Sequence, residues 1–369
     1  MRRMRWRAPL FAAAGAAICA ACSLLTDFDG FDAPKPTADA GGPEGGGPEG
    51  GPEDPCPNRR RWPEAPDGGK AGDLGTQVAA MKRLSVIDDG GVPYGFDLDG
   101  LCSCPERVAC VGAKANAPCD PLRSGIDNAS RGFLSLFSVA TGTNLEESGL
   151  ALGLKAGKYS VVFRLAGWNG EPDDPDVALQ VLNAFDANGG DAGASFDGGD
   201  SWTIDLESLA DNRFPTSPVT RAYVASGTLV AELPVLVLKS RIPTTNDRWL
   251  LVRLPLRNAR ITARISRSGD GFSLVDGQVG GRIPASDLLA SISVVGGCPG
   301  SPNFDAVKPF VCDARDLPVD PGKDGRDQAC EAISFGATFE ASPARVGAEA
   351  GAPSDELPCG DAAAPVDCR

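Results

Sequence analysis

Apolar residues recur at every second position in one segment of this chain after another, and a period of two is the signature of β-strands. Tyr159, Val161, Phe163 and Leu165 fall at alternate positions, as do Val177, Leu179 and Val181, and Leu233, Val235 and Val237 within Leu229 to Leu238. Gln77 to Ile87 ends in the β-branched pair Val86-Ile87 before Asp88-Asp89-Gly90-Gly91, which predicts a strand running into a turn. Arg248 to Leu256 and Arg257 to Ser266 read as two further strands, and Ile333, Phe335, Ala337 and Phe339 as a closing one. Helical spacing is found in two places. Ala129 to Val139 carries Phe133, Leu136 and Phe137 on one face after Asp127 or Asn128 as a cap, and Ser286 or Asp287 starts a turn or two before Ile292. Short strands between Gly, Pro, Asn and Asp turns predict a mainly β protein, an antiparallel, sandwich-like domain with one or two short helices and disulfide bracing.

The alternation is lost towards both termini. Arg2, Arg3, Arg5 and Arg7 precede the apolar run Ala8 to Ile18 and the small-residue stretch Cys19-Ala20-Ala21-Cys22. A basic start and an apolar run too short to span a bilayer make an export signal. Because it ends on a cysteine and not on an Ala-x-Ala site, it resembles the lipobox of bacterial lipoproteins, with Cys19 standing where that family usually has Leu. The resemblance implies cleavage before Cys22 and lipidation of Cys22. Ser23 in the next position resembles the outer-membrane sorting pattern, so the anchor implied is the cell outer membrane.

Residues 22–66 then read as a disordered tether, because Pro43-Glu44-Gly45, Pro48-Glu49-Gly50 and Pro52-Glu53 leave almost nothing to bury. A flexible segment of about 40 residues has a mean reach of about 35 Å. The rest divides into a cysteine-rich module at 67–125, an antiparallel β domain at 126–297, a cysteine-containing closing segment at 298–345 and a polar tail at 346–369.

Charge and cysteine content narrow the function classes. Removing residues 1–21 takes four arginines and no acid, so the formal charge falls from −14 to −18. Nucleic acid is an unsuitable partner for so acidic a chain, since its contacts come from Lys and Arg. Ten cysteines remain besides Cys19 and Cys22: Cys56, Cys102, Cys104, Cys110, Cys119, Cys298, Cys312, Cys330, Cys359 and Cys368. An even count in an exported chain reads as disulfides, and irregular spacing without histidine disfavours the zinc alternative. Five lie before residue 120 and five after 297, so complete pairing requires an odd number of bridges between the groups; Cys359 and Cys368 are also placed to clip the tail locally. The chain has no histidine, which removes Ser-His-Asp and Cys-His catalysis and His-ligated metals. What survives is carboxylate chemistry, oxygen-ligated calcium and binding.

Four constellations deserve weighing on that basis. Asp97-x-Asp99-Gly100 supplies half of a calcium loop, but Leu101 occupies the position of the third oxygen; Asp186, Asn188 and Asp191 form a second acidic, Gly-rich loop. Trp168, Asn169, Asp173 and Trp202 set aromatic rings beside amide and carboxylate groups, a pairing suited to a glycan, although either Trp serves equally as core. A carboxylate-pair hydrolase is open in principle because 49 acids are present, but no local signature selects a pair. Arg257, Arg260, Arg264 and Arg267 make a positive strip on one strand, read either as an outer face paired to acids on neighbouring strands or as an anion groove. Gly153 to Tyr159 is one residue too short for a phosphate loop, and Gly193-x-Ser195 is followed at 197 by Asp, so neither motif stands.

Taken together, Gly95-Phe96-Asp97-Leu98-Asp99-Gly100 before Cys102-x-Cys104, Gly125 to Ala129, Trp168-Asn169-Gly170, Gly198 to Trp202 and Cys330 to Ser334 resemble exported lipoproteins of myxobacteria. No catalytic residue is carried over from that resemblance. The function expected is a non-catalytic envelope or surface interaction protein, its partner an envelope protein or polysaccharide and its membrane contact the N-terminal lipid. A carbohydrate-binding module is the alternative, and a glycoside hydrolase a more distant one.

Overall fold

A computed structural model describes residues 62–69, 72–86, 93–101, 109–111, 125–132, 134, 150–190, 192–209, 220–243, 249–268, 271–294, 298–325, 327–353, 359 and 367–368. The strands are β1 (Gln77–Ser85), β2 (Ser160–Ala166), β3 (Asp174–Phe185), β4 (Ser201–Asp205), β5 (Thr220–Ala225), β6 (Thr228–Pro243), β7 (Trp249–Ser268), β8 (Gly271–Pro284), β9 (Ala332–Pro343) and β10 (Arg345–Ala350). Helices α1 (Ala151–Lys155), α2 (Leu206–Leu209), α3 (Ala285–Val294) and α4 (Pro302–Asp313) lie between them.

All ten strands belong to one sheet, ordered β10-β4-β3-β2-β1-β9-β8-β7-β6-β5, and a further pairing of β3 with β5 closes it on itself. Around the closed part, every neighbouring pair from β1 through β2, β3, β5, β6, β7, β8 and β9 back to β1 is antiparallel. The protein is thus mainly β and antiparallel, as the alternation implies, and the two facing layers of the sandwich-like reading are opposite walls of one barrel. β3 makes closure possible by its length. Ala178 to Ala184 pair with β2 along one edge, while Asp174 to Leu179 meet β5 and Ala184 and Phe185 meet β4 along the other.

Alternation along each strand fills the interior. Phe163, Leu165, Leu179, Ile261, Phe272 and Phe339 are among the buried side chains of one continuous core, and Phe163 stacks on Phe339 with ring centroids 5.1 Å apart. A barrel of about eight strands is just wide enough for side chains to fill it. The outer wall carries the charge: Arg260 pairs with Glu232 on β6, Arg264 with Asp276 on β8, and Arg257 lies 4.0 Å from Asp287 on α3. An apolar interior behind a charged wall is the reverse of a membrane-spanning barrel, and it answers the positive strip with acids on neighbouring elements. A second apolar cluster of Ala80, Val162, Leu182, Ala184, Ala187, Trp202 and Ile204 covers the outside of β1–β3 beneath β4. Helix α1 packs on β1 and β6, and α3 on β7, β8 and α4.

Several elements differ from the sequence reading. The strands expected at 248–256 and 257–266 are one, β7, whose Pro255 lies before the first β8 pairing at Arg257, where no second ladder needs its N–H. α4 lies in the cysteine-containing closing segment, where only a strand is expected. Ser301 caps it, its hydroxyl accepting from Phe304 N at 3.3 Å, and Pro302 stands at its first position, where a missing N–H is harmless. The polar tail begins with a strand, β10, paired parallel to β4. Residues 130–132 and 134 are helical, while the rest of the helix expected to Val139 lies outside the described residues.

Among the described residues, three disulfides brace this frame: Cys110–Cys330, Cys298–Cys359 and Cys312–Cys368. Cys359 and Cys368 do not clip each other; each reaches back to the segment around α3 and α4. All five cysteines beyond residue 297 are therefore placed, and the link to the N-terminal group is the single bond Cys110–Cys330. Cys56, Cys102, Cys104 and Cys119 lie outside the described residues.

Candidate functional site

Among the described residues, a buried acidic corner lies on the outer wall of β8 and β9. Two glycines create it. Gly280 and Gly336 face each other in the β8–β9 register. A Cβ on Gly280 would stand 2.8 Å from the Phe96 ring, and one on Gly336 would stand 2.1 Å from Tyr94 O. Their bare backbone lets residues 94–96 lie flat on the wall, a close approach that no larger residue permits. The chain then turns through Asp97-Leu98-Asp99-Gly100, with Asp97 Oδ1 accepting from Gly100 N at 2.7 Å and Asp99 Oδ1 from Leu101 N at 2.8 Å.

Asp127 holds that turn from the other side. Its Oδ2 accepts from Leu98 N at 2.6 Å and from Asp99 N at 3.3 Å. Asn128 Oδ1 accepts from the Ser130 hydroxyl at 2.8 Å. The Asn128 amide donates to Tyr94 O and Gly336 O, and Ala129 N donates to Ser334 Oγ. Asp316 completes the corner by accepting from Ser334 N at 2.8 Å and from the Ser334 hydroxyl. On the far side, Arg282, 1% exposed, donates to Leu98 O and Pro318 O and makes a paired contact with Asp324. Gly95 to Gly100, Gly125 to Ala129 and Cys330 to Ser334, distant in the chain, meet at this one place, next to the Cys110–Cys330 bond.

Burial pushes the Asp127 carboxyl well above its ordinary range, and the charges of Asp99 and Asp316 push it further. Burial likewise raises Asp316 to about 7, against the hydrogen bonds from Ser334 and with a further push from Asp99. Asp97, Asp99 and Asp127 each present a carboxylate oxygen within 4.8 Å of the others. Two oxygens about 2.4 Å from one calcium lie at most about 4.8 Å apart, so the three could hold such an ion while supplying only part of the 6–8 oxygens it takes. Asp97 and Asp99 are legible in the sequence. Asp127 is not, because nothing local to it announces a partner 28 residues away.

The second acidic loop is organised for another purpose. Asp186 Oδ1 lies 3.9 Å from Lys158 Nζ and 3.8 Å from an Arg241 nitrogen, Asn188 Oδ1 accepts from Ser201 N, and the Asn188 amide donates to Asp200. Its hub is Asp200, 2% exposed, which also accepts from Ser195 N, Ser195 Oγ and Phe196 N. Burial alone would raise the Asp200 carboxyl, but the bonds from Asn188, Phe196 and Ser195 outweigh it and hold it below its ordinary value. Asp186 and Asn188 thus take part in closing a turn. Asp191 lies outside the described residues.

The aromatic pair expected to stack on a glycan is core. Trp168 is 4% exposed and Trp202 is 0% exposed, so neither offers a ring face to a sugar. Trp168 Nε1 donates to Glu171 O, Asn169 N donates to Asp174, and Asp173 accepts from Ser226 N, which makes this stretch a turn that satisfies its own polar groups. Strand ends look exposed in a sequence, but here Arg267 lies over Trp168 and Phe196 packs against Trp202.

A small cavity of about 10 Å³ touches Tyr159, Asn183, Asp205, Lys239 and Arg241 and is bounded by Ala352 and Pro353. That is at the lower limit for a single water. The buried Lys239 ammonium is matched there by Asp205 and Glu207, and Asn183 bridges Ser208, Val237 O and Lys239 N. Sequence reading missed this network because its members are spread over β3, β4, α2 and β6. Cys22 is outside the described residues. No family model, curated protein or solved structure matches the chain.

Proposed function

We propose that this is an exported, lipid-anchored envelope protein that works by binding a partner and not by catalysis. The observation that carries the reading is the construction of the barrel, whose interior is filled by its own apolar side chains. A filled barrel serves as a rigid body, so recognition falls to the outer wall and its covering segments. Three disulfides, one of them spanning 220 residues, support an oxidising compartment. The signal ending at Cys22 supports lipidation there, and Ser23 supports the outer membrane as the destination.

The test is made in an envelope-forming bacterial host fed labelled palmitate. The label is expected on the full chain and in the outer-membrane fraction, and Cys22→Ala should lose both. Cross-linking in the same cells is expected to capture one envelope protein with the wild-type chain. An unlabelled chain would overturn the anchor. A labelled chain that retained only polysaccharide, or that released sugar from it, would replace the protein-partner reading with a glycan-directed one.

A further inference from the structure

The β3–β5 ladder ends at Leu179, and beyond it β3 reaches β6 through a side chain. The Asn183 amide donates to Val237 O at 2.9 Å, and Asn183 Oδ1 accepts from Lys239 N at 2.9 Å. That fixes the backbone of Lys239, whose Nζ contacts Oδ2 of Asp205, at the end of β4, and lies 2.5 Å from Oε2 of Glu207 in α2. Lys239 is 5% exposed and Asp205 1%, so water is almost excluded from both. Glu207 is half-exposed, with Arg253 3.1 Å away. The second Asp205 oxygen, Oδ1, accepts from Glu207 N at 3.1 Å. The cavity described above touches both Lys239 and Asp205.

We propose that Lys239 and Asp205 join covalently in the folded chain, forming an intramolecular amide between Nζ and Cγ with loss of one water. Burial disfavours a separated ammonium and carboxylate. Moving one proton from Nζ to Oδ2 turns the pair into a neutral amine and a carboxylic acid, the forms that react. Nζ then attacks Cγ, and negative charge gathers on Oδ1, at which the Glu207 N–H is already aimed. Glu207 Oε2 takes a proton from the attacking nitrogen and returns it to the Oδ2 hydroxyl, which leaves as water while the Oδ1 carbonyl re-forms. An ammonium and a carboxylate become an amide and a water, and Glu207 ends as the carboxylate it was. Burial would raise the Glu207 carboxyl, but Lys239 and Arg253 outweigh it and hold it below its ordinary value, as a proton acceptor requires. No activating reagent is needed, because the fold holds the two groups in contact and makes the condensation unimolecular. The cavity beside them has room for the one water released. The bond ties β6 to β4 where β3 and β5 part, with β5 in the loop between them.

The test reads the bond from mass. The full chain, purified from an exporting host, is reduced, alkylated and cut with trypsin. Unjoined, it yields Leu165–Arg213 and Ala222–Lys239 as separate peptides. Joined, it is not cut after the acylated Lys239, and Leu165–Arg213 is expected coupled to Ala222–Arg241, lighter than their sum by one water. Glu207→Gln keeps both reacting groups and changes a half-exposed side chain, so its circular dichroism and disulfide pairing should match wild type. Its joined species should be lost, since a positioned proton carrier contributes about 10²–10⁴-fold. Free peptides alone from the wild-type chain would overturn the bond. A joined species undiminished in Glu207→Gln would overturn the route through Glu207. Neither lipid nor partner enters the reaction, so its failure is separate from any failure of palmitate labelling or cross-linking.

Discussion

Asp316 shows how one side chain can set the pH response of a whole corner. Its carboxyl is raised to about 7 and that of Asp127 is raised too, both first by burial. A raised carboxyl means that the folded state holds a proton the unfolded chain has already released, so stability falls as pH rises between the unfolded and folded values. The contribution of Asp316 is fully present below about pH 4 and is lost as the pH rises through about 7. Asp316→Asn keeps an acceptor for Ser334 N and deletes the charge. It is expected to flatten the decline of melting temperature between about pH 4 and 7, and at pH 8 to melt a few degrees above wild type. Calorimetry across that range with disulfides intact is the measurement, and an unaltered slope would show that another group carries the pH response. Single residues were also where sequence reading went furthest astray. Trp168 and Trp202 sit where strands end, beside polar neighbours, and only the tertiary covering by Arg267 and Phe196 makes them core.

Elements with an unbroken period of two were legible, and those that departed from it for a distant neighbour's sake were not. β1, β2, β3, β6 and β9 lie where the alternation puts them. β8 escaped because Gly277, Gly280 and Gly281 dilute its β-propensity, and the reason for those glycines is visible only across the sheet. β4, β5 and β10 are 5–6 residues long, too short to establish a period. Of the acidic corner, the Asp97-x-Asp99 turn could be read locally, whereas Asp127, Asp316 and Arg282 are joined to it only by folding. The glycine pair gives the prediction that belongs to this scale. Gly280→Ala drives a methyl against the buried Phe96 ring at 2.8 Å and towards Phe335 O at 3.2 Å, and should cost about 1–3 kcal/mol. Gly336→Ala meets backbone at Tyr94 and Gly95, which cannot yield without lifting residues 94–96, so it should cost more and open that segment to protease while the barrel stays folded. Denaturation midpoints and proteolytic cleavage mapped around Tyr94 check both. Equal effects at the two positions would contradict the packing described.

At the scale of the molecule, the barrel is assembled from segments that read as separate modules. β1 comes from the cysteine-rich stretch, β2 to β8 from the central region and β9 from the closing segment, so the wall cannot be completed until both ends of the folded chain are in place. Pairings between such distant segments carry a large closure entropy. Cys110–Cys330 acts on that cost directly, because it joins residues 220 apart and sits where the acidic corner ties the N-terminal turn to β9. Cys298–Cys359 and Cys312–Cys368 close loops of 61 and 56 residues and hold the C-terminal segment to the helical region instead. In the chain-entropy model the longest loop gives roughly 5 kcal/mol and the shorter two roughly 4 kcal/mol each. The difference in place matters more than the difference in size. Replacing Cys110 and Cys330 together with Ser should lower the melting temperature by roughly 10 °C and slow refolding, since the encounter of β1 with β9 becomes a search over a far longer chain. Replacing Cys312 and Cys368 should lower the melting temperature by a comparable amount while leaving the refolding rate of the barrel nearly unchanged, because no stave of the wall depends on that bond. Calorimetry paired with refolding from denaturant under oxidising conditions separates the two. Equal slowing in both variants would mean that docking of the C-terminal segment, and not closure of the wall, limits the formation of this fold.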